Sequence, residues 1–315
     1  MSKLIEEIRS VAMNTGADIV GFAPAERFDC GPEKTHPRYY MPKAESVVVA
    51  AIGYPRAIGE VWGTYEDEGC TPTPYMWFGF AQLNWDLSRV ALKIAKTLES
   101  HGHKGLPLPP SGSLMQYRYV QYFDEWNRYL GDFSHKHAAL AAGMGTFGWS
   151  NLFLTLEFGA RVRLISVITE AEFETPDLIP SERLCQPKLC GYACVNTCPI
   201  GALSKDEFQE FKIEGQLYQY GALDHLRCRW CLDGYTRGSG SRTHVEPPDR
   251  IKQAALAEAA QKRYLMDRGL FAYTLIDFCG KCMHQCPSPE FEYVPRPIKR
   301  LQDRTGCYTV TSSGT

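Results

Sequence analysis

The sequence has no apolar run long enough to cross a membrane and no large excess of either charge. The longest apolar run, around residues 47–52, has the length of a strand, whereas a membrane helix needs roughly 18 such residues. Lysine and arginine number 34 against 36 aspartate and glutamate, a formal charge of −2. Nucleic-acid-binding domains usually carry a basic patch. We therefore expect a soluble chain with no nucleic acid partner and no membrane contact.

The N-terminus also lacks an export signal. It begins MSKLIEEIRSVAMNTG, which places Leu4, Ile8 and Val11 on one face of an amphipathic helix. It contains neither the apolar core of a signal peptide nor a twin arginine. These features predict a cytoplasmic protein.

Disulfide bonds are not expected, although the chain has 12 cysteines. The cytoplasmic thiol pool keeps cysteine reduced, so this number of cysteines is more typical of metal ligands. Nine of them lie between Cys185 and Cys286. The scattered Cys30, Cys70 and Cys307 are interpreted as buried small side chains.

The N-terminal half has the alternating pattern of an α/β domain. Residues 17–25, the β-branched run 46–55 and residues 161–168 predict strands. Apolar residues at spacings of three and four predict a helix over residues 80–100, and residues 135–142 predict a second one.

The composition changes after about residue 180, where cysteines, prolines and short helical segments begin. The segment SKDEFQEF is predicted to be one such helix, with Ser204 as its N-cap. We expect an α/β cofactor-binding domain over residues 1–180, a ferredoxin-like domain over 181–291 and a C-terminal tail over 292–315.

Two cysteine groups each close with the pattern C-x3-C-P. This pattern is typical of bacterial ferredoxins with two [4Fe–4S] clusters, in which the last cysteine of each group binds the other cluster. By this rule Cys198 serves the second cluster and Cys286 the first. The groups are Cys185, Cys190, Cys194 and Cys198, and then Cys279, Cys282 and Cys286.

The two groups supply seven of the eight thiolates that two such clusters need. The intervening segment HLRCRWCLDG offers Cys228, which we prefer as the eighth ligand, and Cys231 as the alternative. Zinc also binds four thiolates, but its sites favour paired C-x2-C spacings, which within the two groups only Cys279 and Cys282 show. Cys185 fits the ferredoxin spacing least well, because the first group is spaced C-x4-C-x3-C.

Residues 141–170 read AAGMGTFGWSNLFLTLEFGARVRLISVITE and are followed by the two cysteine groups. This arrangement resembles the core of the epoxyqueuosine reductase and reductive dehalogenase superfamily. The glycine pattern, the EFG-x-R-V-R strand and both cluster groups occur in the order found in that family, over roughly residues 115–290. The resemblance implies an α+β fold: a nitroreductase-like, cobalamin-binding α/β core with an inserted ferredoxin-like domain that carries two [4Fe–4S] clusters.

The resemblance also implies a site for cobalamin with its lower base detached, next to one of the clusters that reduce its cobalt. The turn over residues 143–151 and the following strand would line the corrin. Glycine suits such a turn because backbone must approach a flat macrocycle closely. The alternative is that the glycines only form a tight helix-to-strand turn. The positions are Gly143, Gly145, Gly148, Asn151, Arg161 and Arg163.

The catalytic proton donor is where this sequence departs from the family. Epoxyqueuosine reductases carry an acidic donor within an Asp-x-Gly-Pro stretch, and this chain reads NRYLGDFSHKH there. Tyr129 falls near the expected position, and reductive dehalogenases use a tyrosine. Asp132 or Asp124 could substitute. Tyr129 and Asp132 are therefore the candidate catalytic residues.

The sequence thus predicts a cytoplasmic reductase dependent on cobalamin and iron–sulfur clusters. An external ferredoxin or flavodoxin would supply low-potential electrons, and a small organic substrate would be reduced at the corrinoid. One alternative is an accessory electron-transfer protein that reactivates a partner corrinoid protein and holds no cobalamin tightly. Another is a flavin-dependent reductase, because nitroreductase-like folds also bind FMN.

Overall fold

The structure is a computed structural model that describes residues 2–31, 33–59, 74–110, 133–174, 176–232, 236–237, 240–241, 246 and 279–290. All nine cysteines between Cys185 and Cys286 lie within these ranges. The candidate proton donors Tyr129, Asp132 and Asp124 lie outside the described residues.

The N-terminal half is built around one antiparallel sheet of four strands, in the spatial order β1 (Ile19–Pro24), β2 (Ser46–Gly53), β6 (Val162–Thr169) and β3 (Gly105–Pro107). The central strand β2 is buried along nearly its whole length, as its apolar run predicts. The elements in chain order are α1 (Ser2–Asn14), β1 (Ile19–Pro24), α2 (Pro37–Tyr40), β2 (Ser46–Gly53), α3 (Gln82–Ser100), β3 (Gly105–Pro107), α4 (His135–Ala141), β4 (Thr146–Phe147), β5 (Phe153–Leu154) and β6 (Val162–Thr169).

Helices cover both faces of this sheet. Alternate residues of a strand point to opposite faces, and so Val48 packs with α1 and α3 whereas Val47 and Val49 pack with α4. A π-helical segment, Tyr75–Ala81, leads directly into α3. None of the helices in the described part of the chain is both long and apolar enough to span a bilayer.

The cysteine-containing half consists of short elements and one long hairpin. The hairpin strands β7 (Leu203–Ile213) and β8 (Gln216–Leu223) pair antiparallel and meet at a tight turn that contains Glu214 and Gly215. The elements are α5 (Ala193–Asn196), β7 (Leu203–Ile213), β8 (Gln216–Leu223), α6 (His225–Leu232), β9 (Thr236–Arg237), β10 (Gly240–Ser241) and α7 (Lys281–His284).

The helix predicted for SKDEFQEF is wrong, because this segment lies in β7. The Ser204 hydroxyl does accept hydrogen bonds from the backbone N–H groups of Asp206 (3.2 Å) and Glu207 (2.9 Å), as an N-cap would. The result is an irregularity in the strand between Leu203 and Phe208, after which pairing with β8 resumes. The pairing of this segment with β8 therefore outweighs the local tendency of Ser204 to cap a helix.

A buried arginine fastens the hairpin to the N-terminal half. The Arg27 guanidinium donates to both carboxylate oxygens of Glu214, each at 2.8 Å. It also donates to the carbonyl oxygens of Ala141 (2.6 Å) and Pro176 (2.7 Å). Its side chain is 3% exposed, whereas that of Glu214 is 53% exposed. The hairpin turn is therefore held against the end of α4.

Replacing Arg27 should destabilise the protein much more than replacing its partner. Arg27→Met leaves one buried and one half-buried carbonyl group without this donor, so we expect the free energy of unfolding to fall by about 2–4 kcal/mol. Glu214→Gln should cost less than about 1 kcal/mol because this carboxylate is largely hydrated. Denaturant unfolding of anaerobic protein, followed by circular dichroism, measures both. Small and equal losses of stability in the two variants would contradict the proposed role of Arg27 in holding the hairpin.

Candidate functional site

Four cysteines from separate segments of the chain line one cleft. The cleft encloses about 350 Å³ when the open solvent at its mouth is included, and the turn Gly148, Trp149 and Ser150 also lines it. Pro287 and Ser288 complete the lining near the second cysteine group. The four are called the first cysteine set: Cys185, Cys190, Cys194 and Cys286.

Local backbone conformation brings the first three of these cysteines to the cleft. A 3-10 turn at Ser181–Arg183 precedes Cys185, whose N–H donates to Ser181 O at 2.9 Å. Gly191 and Tyr192 both have left-handed backbone, with φ of 61° and 58°. Two such residues in succession reverse the chain, so that α5 begins directly after them and carries Cys194.

The remaining cysteines of the motifs lie close together beside the first set. Cys198, Cys228 and Cys279 pack against an apolar cluster that includes Ile200 and Trp230. The thiol of Cys282 interacts electrostatically with all three and also with Cys194. The second cysteine set is therefore Cys198, Cys228, Cys279 and Cys282.

Cys231 belongs to the apolar cluster itself. It is 2% exposed and packs with Ile200, Ala202 and Trp230. Cys228, one helical turn earlier in α6, lies near enough to Cys282 for their charges to interact. Of the two candidates for the eighth ligand, Cys228 is thus the one that shares the surroundings of Cys282.

Four of these cysteines hold the thiol proton more tightly than an isolated thiol does. Burial raises the pKa of Cys185 to about 11 and that of Cys194 and Cys286 to about 12, and neighbouring thiols of the first set add to this effect. Burial and the thiols of the second set raise the pKa of Cys282 well above its usual value. A metal centre bound here would replace these protons, because thiolate is the ligand form.

Backbone amides point at sulfur in both sets. Trp149 N–H donates to Cys185 Sγ at 3.1 Å, and Ala202 N–H donates to Cys198 Sγ at 3.2 Å. The indole of Trp149 donates to Ser204 O at 3.0 Å, and Gly221 N–H donates to Trp149 O. The hairpin therefore fixes the amide that faces Cys185. Hydrogen bonds of this kind tune the reduction potential of iron–sulfur clusters.

The donor chemistry of both sets fits a [4Fe–4S] cluster, which is bound by four thiolates. Ser288 Oγ, on the wall of the first cleft, is buried and has no hydrogen-bond partner among the described residues. No three His, Cys, Asp or Glu side chains in those ranges converge closely enough for a single metal ion. Cluster ligands bind separate iron atoms, so they surround a larger group than one ion.

A buried histidine positions the cysteines that flank it in the second group. His284 is 7% exposed, its Nδ1 lies 3.3 Å from the Tyr54 hydroxyl, and its ring packs edge-on against Tyr75. Burial lowers the pKa of His284 to about 3, with a further contribution from the charge of Arg161. The neutral ring of His284, a residue that lies between Cys282 and Cys286 in the sequence, thus anchors α7 at the end of β2.

The glycines of the predicted corrin turn are explained by packing within the chain. A Cβ atom at Gly145 would clash with the backbone carbonyl of Leu154. Gly143 has a φ of 63°, and a Cβ atom there would clash with Asp177 O. Gly148 lines the first cleft. The tight-turn alternative accounts for Gly143 and Gly145 without a macrocycle.

Phe147 of the turn and the two arginines contact different parts of the protein. Phe147 packs on the α4 face, whereas Arg163 donates to Asn84 Oδ1 of α3 at 2.7 Å and lies 4.1 Å from the ring centroid of Phe80. Arg161 Nη1 donates to Tyr54 O at 3.0 Å. The structure therefore does not bring the six corrin candidates into one contiguous wall.

Two of the six corrin candidates, Gly148 and Arg163, still have groups available to contact a bound cofactor. Gly148 presents backbone to the first cleft, and the two terminal nitrogens of Arg163 donate to none of the residues that the structure describes. A guanidinium with unused donors is suited to amide and phosphate groups. The residues present thus fit a corrinoid at these two points.

Asn151, the remaining corrin candidate, accepts hydrogen bonds from Lys136, which the sequence did not indicate as a site residue. Asn151 has a left-handed φ of 58°, and its carbonyl and Oδ1 both accept from Lys136 Nζ, at 2.6 and 2.9 Å. Sequence reasoning also missed Trp149 and Asn84. Each makes its contact with a residue distant in sequence, and no local pattern marks such a partner.

Comparison with known proteins gives one curated relative and several structural ones. No family model matches the chain. Over 227 residues the chain is 25% identical to epoxyqueuosine reductase from Bacillus subtilis (strain 168), a match that covers 64% of this chain and 52% of the relative. The chain thus spans about half the length of the curated relative that it matches.

Two solved structures represent the structural neighbours. A B12-dependent reductive dehalogenase has a TM-score of 0.50 and 18% identity, covering 84% of this chain and 34% of its own. An epoxyqueuosine reductase solved with an epoxyqueuosine-modified tRNA-Tyr stem loop has a TM-score of 0.43 and 20% identity, covering 64% and 53%.

The expectation of a small-molecule substrate and no nucleic acid partner is contradicted by these comparisons. The curated relative is named for a modified base, and that base is carried by tRNA in the solved complex. A formal charge of −2 sums over the whole chain, so it does not report the local surface that an RNA stem loop contacts.

The comparisons also bear on the other expectations. Both kinds of relative are oxidoreductases, and neither supports the flavin-dependent alternative. The mixed α+β architecture predicted from the sequence is confirmed by the sheet and its helices and by the dehalogenase neighbour. The predicted resemblance is likewise confirmed: this chain is similar to the epoxyqueuosine reductases and shares a fold with the B12-dependent reductive dehalogenases.

Proposed function

We propose that this chain is a cytoplasmic reductase of the epoxyqueuosine reductase and reductive dehalogenase type, which uses two [4Fe–4S] clusters and cobalamin. One observation carries the proposal: cysteines from separate segments come together as two sets of four, and one set lines a single cleft. The exchange of Cys198 and Cys286 between the two sequence groups matches the ferredoxin rule. The similarity to epoxyqueuosine reductase supports the same assignment.

The first cysteine set would hold one cluster and the second set the other. Cys194 interacts electrostatically with members of both sets, and its helix α5 packs against α7. The two clusters would therefore lie close together, as electron transfer between them requires. Leu189, next to Cys190, is 65% exposed, so the first cluster would lie near the surface and receive electrons from an external ferredoxin or flavodoxin.

The chain's own residues prepare the site for this chemistry. When bound, the clusters supply low-potential electrons and the corrinoid supplies a metal that reduces the substrate. The amides of Trp149 and Ala202 stabilise thiolate at Cys185 and Cys198. Trp230 and Ile200 exclude water from the second set. Gly148 and Arg163 would hold the corrinoid.

Tyr129 would deliver the proton, with Asp132 as the alternative. The two ends of the segment that contains them, residues 110 and 133, are held near α4. His135 Nε2 donates to Pro109 O at 2.8 Å, and its Nδ1 accepts from the Ser166 hydroxyl at 2.8 Å. Burial lowers the pKa of His135 to about 4, so this link stays neutral.

For the substrate, we propose the class that the curated relative's name indicates, an epoxide in a modified tRNA base. The missing Asp-x-Gly-Pro stretch distinguishes this chain from that relative at the proton donor. A tyrosine donor is compatible with either reaction type. In reductive dehalogenation two electrons and one proton convert the C–X bond to C–H and release halide, whereas in epoxide deoxygenation two electrons and two protons remove the oxygen as water and leave an alkene.

Chemical analysis of anaerobically purified protein tests the proposal directly. We expect about eight iron and eight sulfide per chain, and retention of added cobalamin after gel filtration, seen in the visible spectrum. The reduced protein should convert an epoxyqueuosine-modified tRNA stem loop to the deoxygenated base. Zinc in place of iron would refute the cluster assignment. Iron without retained cobalamin would instead indicate an accessory electron carrier.

Serine substitutions at the two cysteines of α6 should have different effects. Cys228→Ser should remove about half of the iron, because one cluster loses a ligand. Cys231→Ser should keep about eight iron per chain, since Cys231 packs in the apolar cluster, although it should lower stability. Iron analysis and electron paramagnetic resonance (EPR) of the reduced protein separate the two results. The opposite pattern would make Cys231 the ligand.

Tyr129→Phe should lower turnover by about 10²- to 10⁴-fold, the usual contribution of a general acid. Iron content and cobalamin retention should not change, because the substitution removes only a hydroxyl group. The matched control is Tyr39→Phe, since Tyr39 is an exposed tyrosine of α2. Full turnover of Tyr129→Phe with intact cofactors would discard Tyr129 in favour of Asp132.

A further inference from the structure

Ser288 follows the second cysteine group closely and lies on the wall of the first cleft. The residue is 6% exposed and lines this cleft together with the four cysteines of the first set. Its hydroxyl oxygen is buried and has no hydrogen-bond partner among the residues that the structure describes. Leaving a buried hydroxyl without a partner costs roughly 1–3 kcal/mol. The hydroxyl of Ser288 therefore calls for a partner that the described part of the chain does not supply.

The backbone of Ser288 packs against a tight turn of the N-terminal half. Thr155 and Gly159 exchange backbone hydrogen bonds of 3.1 and 3.0 Å across this turn. Gly159 has a φ of 55°, and a Cβ atom there would lie 1.9 Å from Ser288 O. Only glycine lets the two backbones approach so closely. The turn that contains the EFG sequence thus fixes the carbonyl of Ser288 and the segment that follows Cys286.

The chain on either side of Ser288 is held as well. Before it, Cys286 N–H donates to Met283 O of α7 at 3.3 Å. After it, Glu290 Oε1 lies 2.7 Å from Arg56 Nη2 in an ion pair. Both neighbours of Ser288 in the sequence are prolines, whose rings restrict the backbone further. Ser288 is therefore held in place at the wall of the cleft by contacts on both sides.

A cluster in the first cleft would bring sulfur atoms to this wall. The first cysteine set supplies four thiolates, and a [4Fe–4S] cluster adds inorganic sulfide, so that all of these sulfurs are anionic acceptors. Of the residues that line the cleft, Ser288 is the one whose buried side-chain donor has no partner among the described residues. Hydrogen bonds to an ionised acceptor are stronger than those between neutral groups. The unpaired hydroxyl and the cluster sulfurs therefore complement each other.

We propose that the Ser288 hydroxyl donates a hydrogen bond to the cluster held by the first cysteine set and raises the reduction potential of that cluster. This inference rests on the proposed function. When the external ferredoxin or flavodoxin passes one electron to the oxidised cluster, the cluster becomes one unit more negative. A hydrogen bond to sulfur stabilises that state more than the oxidised one, and such bonds set cluster potentials in proteins. Ser288 therefore makes the first cluster easier to reduce.

A purely structural role for Ser288 makes a different prediction. If its side chain only filled space, Ser288→Ala would leave both cluster potentials unchanged. Ser288→Gly is a second variant without a hydroxyl, and Ser288→Thr keeps the hydroxyl. Ser181→Ala is the matched control, because the Ser181 hydroxyl already has a protein partner, Thr146 Oγ1 at 3.2 Å.

The test is a redox titration of anaerobic protein with both clusters loaded, followed by EPR at pH 7. The midpoint that is lost or changed in the Cys190→Ser variant identifies the first cluster. In Ser288→Ala and Ser288→Gly this midpoint should become more negative by the equivalent of about a tenfold change in the reduction equilibrium, about 59 mV for one electron. The midpoint of the second cluster should not move. Ser288→Thr and Ser181→Ala should stay near the wild-type values.

Unchanged midpoints in Ser288→Ala and Ser288→Gly, with iron content intact, would overturn the proposal. An equal shift in Ser288→Thr, or loss of iron from all three variants, would also overturn it, because the hydroxyl would then not be the cause. Loss of first-cluster iron from Ser288→Ala and Ser288→Gly but not from Ser288→Thr would still assign the hydroxyl to that cluster. Wild-type protein without iron would refute the proposed function itself and is recognised before any titration.

Discussion

The packing of α5 against α7 is the contact on which the site depends. Each helix has only four residues and lies directly beside cysteines, and neither could persist alone in water. The anchor comes from outside: His284 packs between Tyr54 and Tyr75 at the end of the central strand. The rigid sheet thus fixes α7, α7 fixes α5, and the cysteines on both are brought together. A bound cluster would reinforce an arrangement that the apolar core already favours.

The β7–β8 hairpin likewise positions a contact of the cysteines from outside the two sets. The β7–β8 hairpin forms no part of either cysteine set, yet it holds Trp149 through Ser204 O and Gly221 N, and Trp149 donates to Cys185. The clamp between Arg27 and Glu214 secures the far end of the hairpin. A hydrogen bond to sulfur is therefore positioned by contacts that extend from the first cleft to the N-terminal half.

Sequence periodicity predicted the sheet and the helices well, because β2, β6 and α3 bury their apolar residues in regular patterns. It failed at β7, where Ser204 makes the hydrogen bonds of a cap within a strand. The cysteine motifs predicted the residues of the candidate cluster site, and the exchange of Cys198 and Cys286 between the two groups stays a prediction that rests on the ferredoxin spacing. The bond from Lys136 to Asn151 could not be predicted, because it depends on how α4 and the turn pack in three dimensions.

Formal charge is the least informative property of this chain, and the site explains why. A sum of −2 treats Lys136 and Arg163 like surface cations. Both are held at fixed positions by neutral acceptors, Asn151 and Asn84, rather than by carboxylates. A carboxylate partner would cancel the field of each cation, whereas an amide oxygen orients the cation and leaves its charge effective. The asparagines therefore hold two cations in place without cancelling their charge, which no count of residues can reveal.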